Sequence, residues 1–210
     1  EGLQVVNLDL SKPFSAGRAR NEGFKVLLQK HADLKYVQFI DGDCLLGGEW
    51  LGAGADYLEL NSKCSIVCGV RKELYPDKTI FNFLCDIEWD AAKGDIQECG
   101  GDFLARIEVI VSVGAFDERI IAGEEPDLCY RARQKGLKLY CLGKEMVLHD
   151  LEMNSFQDYW NRGEASGKAY ATIGLKYVFS SEKLWLREML RNFAEPALWI
   201  LIFLLGFWAG

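Results

Sequence analysis

Hydrophobic residues recur along most of the chain with the spacing of strands or of helices. Apolar runs predict strands at residues 3–10, 36–41, 64–72 and, as two short segments, within 137–149. Helical spacing and end signals predict helices at residues 16–30 and 48–60, from Pro126 to Gly136, and after Ser155. Residues 103–114 begin with a strand pattern and continue with a short helical one. Strands that alternate with helices predict an α/β fold with a mostly parallel sheet flanked by helices.

The C-terminal part of the chain carries two further apolar patterns. Residues 179–196 have the pattern of an amphipathic helix, which would lie on a bilayer surface or pack against the folded domain. Residues 197–210 carry no charge and are apolar on all sides, which favours the start of a transmembrane helix over a buried core helix. Residues 1–178 then form the folded domain. The basic residues Lys183, Arg187 and Arg191 precede the apolar run and place that domain on the cytoplasmic face.

The composition of the chain limits the kinds of molecule that it is expected to bind. The 210 residues are enough for one α/β domain, and half of them are hydrophobic. The net charge of −7, without a basic stripe, argues against nucleic acid as a partner. The seven cysteines form no Cys-x-x-Cys pair, so they are predicted to be reduced core thiols in a cytosolic compartment.

Two carboxylates, Asp41 and Asp43, follow the apolar run YVQFI. Ligands of parallel α/β sheets bind beyond the carboxyl ends of the strands. Gly42 permits a turn that brings both carboxylates to one side, where they can hold a hard divalent cation and, through it, a diphosphate. An ordinary Asp-Gly turn is the alternative.

Further motifs surround this pair in a fixed order: Ala-Arg-Asn-x-Gly at 19–23, Gly-Gly-Asp at 100–102, Gly-x-Phe-Asp at 114–117, Gly-Glu-Glu with Asp-Leu at 123–128, and a late His149. This order resembles the family 2 inverting glycosyltransferases of the GT-A fold, over about residues 3–175. The forms GEEPDLCYR and MVLHD are most similar to bacterial membrane-associated enzymes of polysaccharide assembly.

The resemblance implies a role for each matching residue. Asp43 and His149 would hold Mn²⁺ or Mg²⁺, although a lone His in this position is more often structural. Glu125 would be the catalytic base, which takes a proton from the acceptor hydroxyl. Its place at a helix N-terminus lowers its pKa, whereas the neighbouring Glu124 raises it. The residues implied near the donor are Arg18, Arg20, Asn21, Asp41, Gly101 and Asp102.

Four residues are candidates for the acceptor side: Trp89, Glu124, Trp160 and Arg162. Trp89 could equally belong to the core, and Glu124 could simply favour the start of a helix. Processive synthases carry Gln-x-x-Arg-Trp in the segment of Trp160 and Arg162, and this chain lacks that order. The departure favours transfer of a single sugar.

The resemblance therefore implies a membrane-anchored enzyme that moves a sugar from a nucleotide-sugar donor to a saccharide or lipid-linked acceptor. Family members begin with a strand that grips the nucleotide base, and the sequence is expected to start after that part. Two other functions remain open at this point. One is a metal-dependent nucleotidyltransferase or phosphoesterase, and the other is a non-catalytic, membrane-tethered, carbohydrate-binding scaffold.

Overall fold

The computed structural model describes residues 3–89 and 93–209, with side chains described as far as residue 206. The helices are α1 (Ala16–Lys30), α2 (Trp50–Leu60), α3 (Ile80–Glu88), α4 (Ile107–Ser112), α5 (Glu124–Gln134), α6 (Phe156–Lys176) and α7 (Leu186–Ala209). The strands are β1 (Tyr36–Phe39), β2 (Cys44–Leu46), β3 (Cys64–Glu73), β4 (Gly94–Ile96), β5 (Phe103–Arg106) and β6 (Lys138–His149).

The strands form one sheet in the order β1-β5-β3-β6-β2, with β4 also paired to β6. The predicted α/β class with flanking helices is confirmed. The sheet is mixed rather than mostly parallel: β3 and β6 run parallel, and the other four pairings of the described strands are antiparallel. The sheet is mixed because β5, which lies between β1 and β3, runs antiparallel to both of them.

Local signals placed several helix ends correctly. The Ser15 hydroxyl accepts a hydrogen bond from the Arg18 amide at the start of α1, and Ser155 does the same for Asp158 at the start of α6. α5 begins at Glu124, two residues before the expected Pro126, and is followed by Gly136 with φ +75°. Both carboxylates of the Glu-Glu pair therefore lie in the first turn of α5.

Three expectations about elements were wrong. Residues 3–10 form no strand, because their side chains are largely exposed and no neighbouring strand pairs with them in the described chain. The two short strands within 137–149 are one strand, β6, held together by pairing with β3 as far as Glu73 and His149. The predicted helix ending at 196 and the one starting at 197 are a single helix, α7, which begins at Leu186 and continues through Pro196.

The core lies between the sheet and its helices. Trp50 and Leu58 of α2 are fully buried, and Ile66 and Phe103 are fully buried on the strands. The seven cysteines are free thiols, and six of them are buried, as the sequence predicted. This packing fixes the turn after β1 and the ends of β3 and β6, where the polar candidate residues lie.

Within the described residues, one helical stretch is long and apolar enough to cross a membrane, Leu186–Gly206. It has 21 residues and a mean hydropathy of 1.4, and its side chains are largely exposed. It packs along α6, where Gly174 contacts Met189. The last predicted residue of the span, Gly210, lies outside the described residues.

Candidate functional site

The turn Asp41-Gly42-Asp43 joins β1 to β2, and its two carboxylates have different partners. The Asp41 carboxylate receives a hydrogen bond from Arg20, at 2.7 Å. The Asp43 carboxylate lies 3.0 Å from Nε2 of His149. The two carboxylates therefore belong to two different clusters in this structure, and the expectation that both hold one cation stays a prediction.

The first cluster, the Arg20 cluster, consists of Arg20, Asp41, Glu124 and Glu125. The Arg20 guanidinium lies 2.7 Å from Asp41, 2.7 Å from Glu124 and 2.9 Å from Glu125. Arg20 comes from α1, whereas the two glutamates come from the first turn of α5. One guanidinium thus contacts three carboxylates, one from the turn after β1 and two from the start of α5.

Glu125 has an unusual protonation equilibrium in this cluster. Burial raises its pKa, the negative charge of Glu124 raises it further, and Arg20 opposes both, which leaves the pKa of Glu125 at about 7. The effects of burial and Glu124 therefore exceed the opposite effects of Arg20 and of a backbone hydrogen bond. A carboxylate with this pKa can take up a proton at neutral pH and release it again.

The second cluster, the Asp43 cluster, consists of Asp43, Cys44 and His149. Their potential ligand atoms all lie within 4.8 Å of one another. Pairing of β2 with β6 places Cys44 directly opposite His149. Burial, with a contribution from Asp102, raises the pKa of Cys44 to about 12.

His149 is buried yet has no conventional hydrogen bond. Its Nε2 is within ion-pair distance of Asp43, but neither ring nitrogen has a hydrogen-bond partner among the described residues. The ring is instead held by stacking on Trp89, with centroids 5.1 Å apart and planes 6° apart. Buried polar atoms are normally satisfied, so these nitrogens fit a ligand that the chain does not supply.

Gly101 and Asp102 connect the two clusters. A Cβ on Gly101 would lie 2.5 Å from Oδ2 of Asp41 and 2.7 Å from the Arg20 guanidinium, so this position needs glycine. The buried Asp102 carboxylate accepts hydrogen bonds from the Asp41 amide, the Arg71 guanidinium and the Cys44 thiol. The Gly-Gly-Asp segment therefore sets the spacing between the clusters.

A cleft of about 590 Å³ opens beside these residues. Trp89, which stacks on His149, lines it, and so does Glu125. Tyr170 of α6 and Trp185, which precedes α7, form another part of the wall. The cleft therefore extends from Trp89, which is next to the Asp43 cluster, past Glu125 to the segment that leads into α7.

Other candidate residues lie elsewhere. The Arg18 guanidinium donates to the backbone carbonyls of residues 9, 12 and 13, and Asn21 bonds the backbone of Phe116 in both directions. Trp160 is exposed and does not line the cleft. Arg162 pairs with Glu88, at 2.6 Å, on the rim of the cleft. Their predicted roles in donor and acceptor binding stay predictions.

Sequence reasoning missed several residues at the site: Cys44, Arg71, Glu98, Tyr170 and Trp185. Arg71 could have been predicted from the sequence, because it is the first charged residue near the end of a buried strand. Cys44 directly follows the Asp-Gly-Asp turn and could have been included. Nothing in the local sequence around Trp185 distinguishes it from the other aromatic residues of the C-terminal segment.

Comparison with known proteins supports the fold. No model of a known protein family matches the chain, and no curated protein matches it in sequence. Among solved structures, the chain is similar to S. aureus TarS, a glycosyltransferase, with a TM-score of 0.53 and 14% identity over 84% of the chain. The chain spans 31% of the length of TarS. The likeness shows that this chain shares the fold of that part of TarS.

Proposed function

We propose that this chain is the catalytic part of an inverting glycosyltransferase that moves one sugar from a nucleotide-sugar donor to a saccharide or lipid-linked acceptor. The observation that carries the proposal is one cleft that is lined by Glu125 and that borders the Asp43 cluster through Trp89. Inverting transfer needs a base for the acceptor hydroxyl and a separate site for the leaving diphosphate. Glu125 is a candidate for the base, the neighbouring Asp43 cluster is a candidate for the diphosphate site, and the fold shared with TarS supports the proposal.

Glu125 is the proposed base. Glu125 lines the cleft, and its pKa of about 7 would let its carboxylate accept the acceptor proton as the hydroxyl oxygen attacks the anomeric carbon. Arg20 orients that carboxylate from 2.9 Å and keeps a fraction of it ionised. Arg20 thus acts as a positioning residue that links the base to Asp41 on the donor side.

Asp43 and His149 are the proposed ligands of Mn²⁺ or Mg²⁺. Their fit rests on the short separation of Nε2 and Oδ2 and on the two unsatisfied ring nitrogens of His149. The Asp43 carboxylate is half exposed, so it is open to an ion from solvent. A bound divalent ion would supply positive charge to the diphosphate of the donor.

Membrane attachment completes the proposal. The stretch Leu186–Gly206 would anchor the domain, with the cleft on the cytoplasmic face, as the preceding basic residues indicate. Trp89 would contact the acceptor from the cleft wall. The family 2 assignment and a role in bacterial polysaccharide assembly rest on the sequence motifs described above.

The experiment is an activity measurement on the membrane fraction that contains the protein. A panel of uridine, guanosine and thymidine diphosphate sugars is added with membrane lipids as acceptors and Mn²⁺ present. We expect release of nucleoside diphosphate, sugar transfer with inversion of the anomeric centre seen by NMR, and loss of both with Glu125→Gln. Release of nucleoside monophosphate or pyrophosphate would instead identify a nucleotidyltransferase or phosphoesterase. Absence of any turnover, with sugar binding retained, would identify a scaffold.

A further inference from the structure

The cleft contains a group of residues that the proposed reaction does not use: Glu98, Tyr170 and Trp185. The Trp185 indole nitrogen donates to Oε1 of Glu98, at 3.0 Å. The rings of Tyr170 and Trp185 are in contact, with centroids 4.6 Å apart. This aromatic wall lies in the same cleft as Glu125.

The backbone of Trp185 is strained. Its φ is +58°, in the left-handed region that bulky residues rarely adopt. The turn that carries it is fastened to α5, because Glu182 accepts hydrogen bonds from Arg133 at 2.6 Å and from Gln134 at 2.7 Å. Leu184 is buried beside it. Such strain persists only where the surroundings enforce it, and it concentrates at ligand-binding positions.

Glu98 has one carboxyl oxygen that receives no hydrogen bond from the described residues. Its Oε1 is bonded to Trp185, but its Oε2 is buried without a hydrogen-bond partner among the described residues. Burial raises the pKa of this carboxyl group. A buried oxygen without a partner costs free energy unless a ligand supplies the donor.

These features fit one ligand chemistry. A pyranose ring has apolar C–H faces, which pack on aromatic rings, and hydroxyl groups, which donate to a carboxyl oxygen. We propose that Tyr170, Trp185 and Glu98 form the subsite for a pyranose ring of the acceptor, with one ring hydroxyl donating to Oε2 of Glu98. This inference rests on the proposed function, because it uses the position of the subsite beside the base. It identifies the acceptor as a sugar rather than a bare lipid alcohol.

The test measures binding of sugars to the intact detergent-solubilised protein by saturation-transfer NMR. The probes are the methyl pyranosides of glucose, galactose, mannose and N-acetylglucosamine. We expect at least one probe to bind, and its dissociation constant to rise at least about tenfold in Trp185→Ala and in Glu98→Ala. Phe179→Ala is the matched control, because this aromatic residue is 99% exposed and outside the cleft, and binding should be unchanged.

Two outcomes would overturn the inference. One is that no pyranoside binds the intact protein, and the other is that binding survives both cleft variants. If Trp185→Ala does not fold, Glu98→Ala decides alone. Electron paramagnetic resonance of Mn²⁺ on the same samples distinguishes failure of the sugar subsite from failure of the proposed function. If a variant loses sugar binding but still binds Mn²⁺, the result bears on the sugar subsite alone. If the intact protein does not bind Mn²⁺, the result counts against the proposed function.

Discussion

Asp41 of the Arg20 cluster and Asp43 of the Asp43 cluster are only two residues apart in the chain, yet their carboxylates have different kinds of partner. In the Arg20 cluster, one guanidinium contacts all three carboxylates, so the protein supplies its own cation. In the Asp43 cluster, a carboxylate and two unsatisfied imidazole nitrogens meet without a Lys or Arg partner among the described residues. The difference teaches that two acidic residues of one turn can have different partners: Asp41 is paired by a guanidinium of the chain, and the carboxylate of Asp43 is paired only with His149 among the described residues.

The largest expected effect concerns the base. Glu125→Gln removes the proton acceptor but keeps the size of the side chain, so kcat for sugar transfer should fall by about 10²–10⁴-fold. Mn²⁺ binding at the Asp43 cluster should not change, because Glu125 is not part of it. Steady-state kinetics and Mn²⁺ titration measure the two quantities. A kcat within tenfold of that of the unchanged protein would show that Glu125 is not the catalytic base.

The next effect tests whether the clusters divide the work. His149→Ala and Asp43→Asn should each weaken Mn²⁺ binding by at least about 10–100-fold, the range seen even when only an outer partner of a metal ligand is lost. Asp41→Asn is the matched control, since Arg20 already occupies that carboxylate, and it should change Mn²⁺ affinity only slightly. Equal losses of Mn²⁺ affinity in Asp41→Asn and Asp43→Asn would show that both carboxylates belong to one metal site.

A third prediction uses pH within the Arg20 cluster. Transfer requires ionised Glu125, so activity should rise with pH around a midpoint of about 7. Glu124→Gln removes a neighbouring negative charge, which should move that midpoint down by roughly one unit. The pH–rate profiles of both proteins measure the shift. A midpoint that stays in place would mean that Glu124 does not act on Glu125.

The same raised pKa affects stability with a defined sign. Between about pH 4.5, the ordinary value, and about pH 7, native Glu125 binds more proton than unfolded Glu125. The free energy of unfolding should therefore fall as pH rises through this window. Urea unfolding at pH 5 and pH 8 should show a smaller fall for Glu125→Gln, and an identical pH dependence would contradict the raised pKa.

The smallest effect concerns the link between the clusters. Gly101→Ala forces a methyl group against Asp41 and Arg20 and should lower the free energy of unfolding by about 1–3 kcal/mol. Gly42→Ala in the neighbouring turn is the control, because its new Cβ would meet nothing within 4 Å. Chemical denaturation compares the two variants. Equal stability would show that the contact at Gly101 relaxes without cost.

Features encoded locally were predictable from the sequence. Ser15 and Ser155 cap their helices through bonds to residues three positions on, and β1 ends just before the Asp-Gly-Asp turn. Asp43 and His149 were paired in advance only through the resemblance of the motif order. Their roles, like those of the other site residues, stay predictions.

What the sequence did not reveal depends on contacts distant in the chain. The direction of β5 follows from its neighbours β1 and β3, and the continuity of β6 follows from β3. The partner of Asp41 is a guanidinium from α1, although the spacing of Asp41 and Asp43 predicts a shared ion. The Glu98–Trp185 bond joins residues 87 positions apart, so no local pattern could indicate it.

The register of β2 on β6 has a consequence for the order of folding. Cys44 and His149 become neighbours only when two strands about a hundred residues apart in the chain have paired. Contacts of such large sequence separation carry a high loop-closure cost and tend to form late. The Asp43 cluster is therefore absent from any intermediate in which β6 has not docked. Acquisition of metal affinity during refolding would therefore report the pairing of β2 with β6.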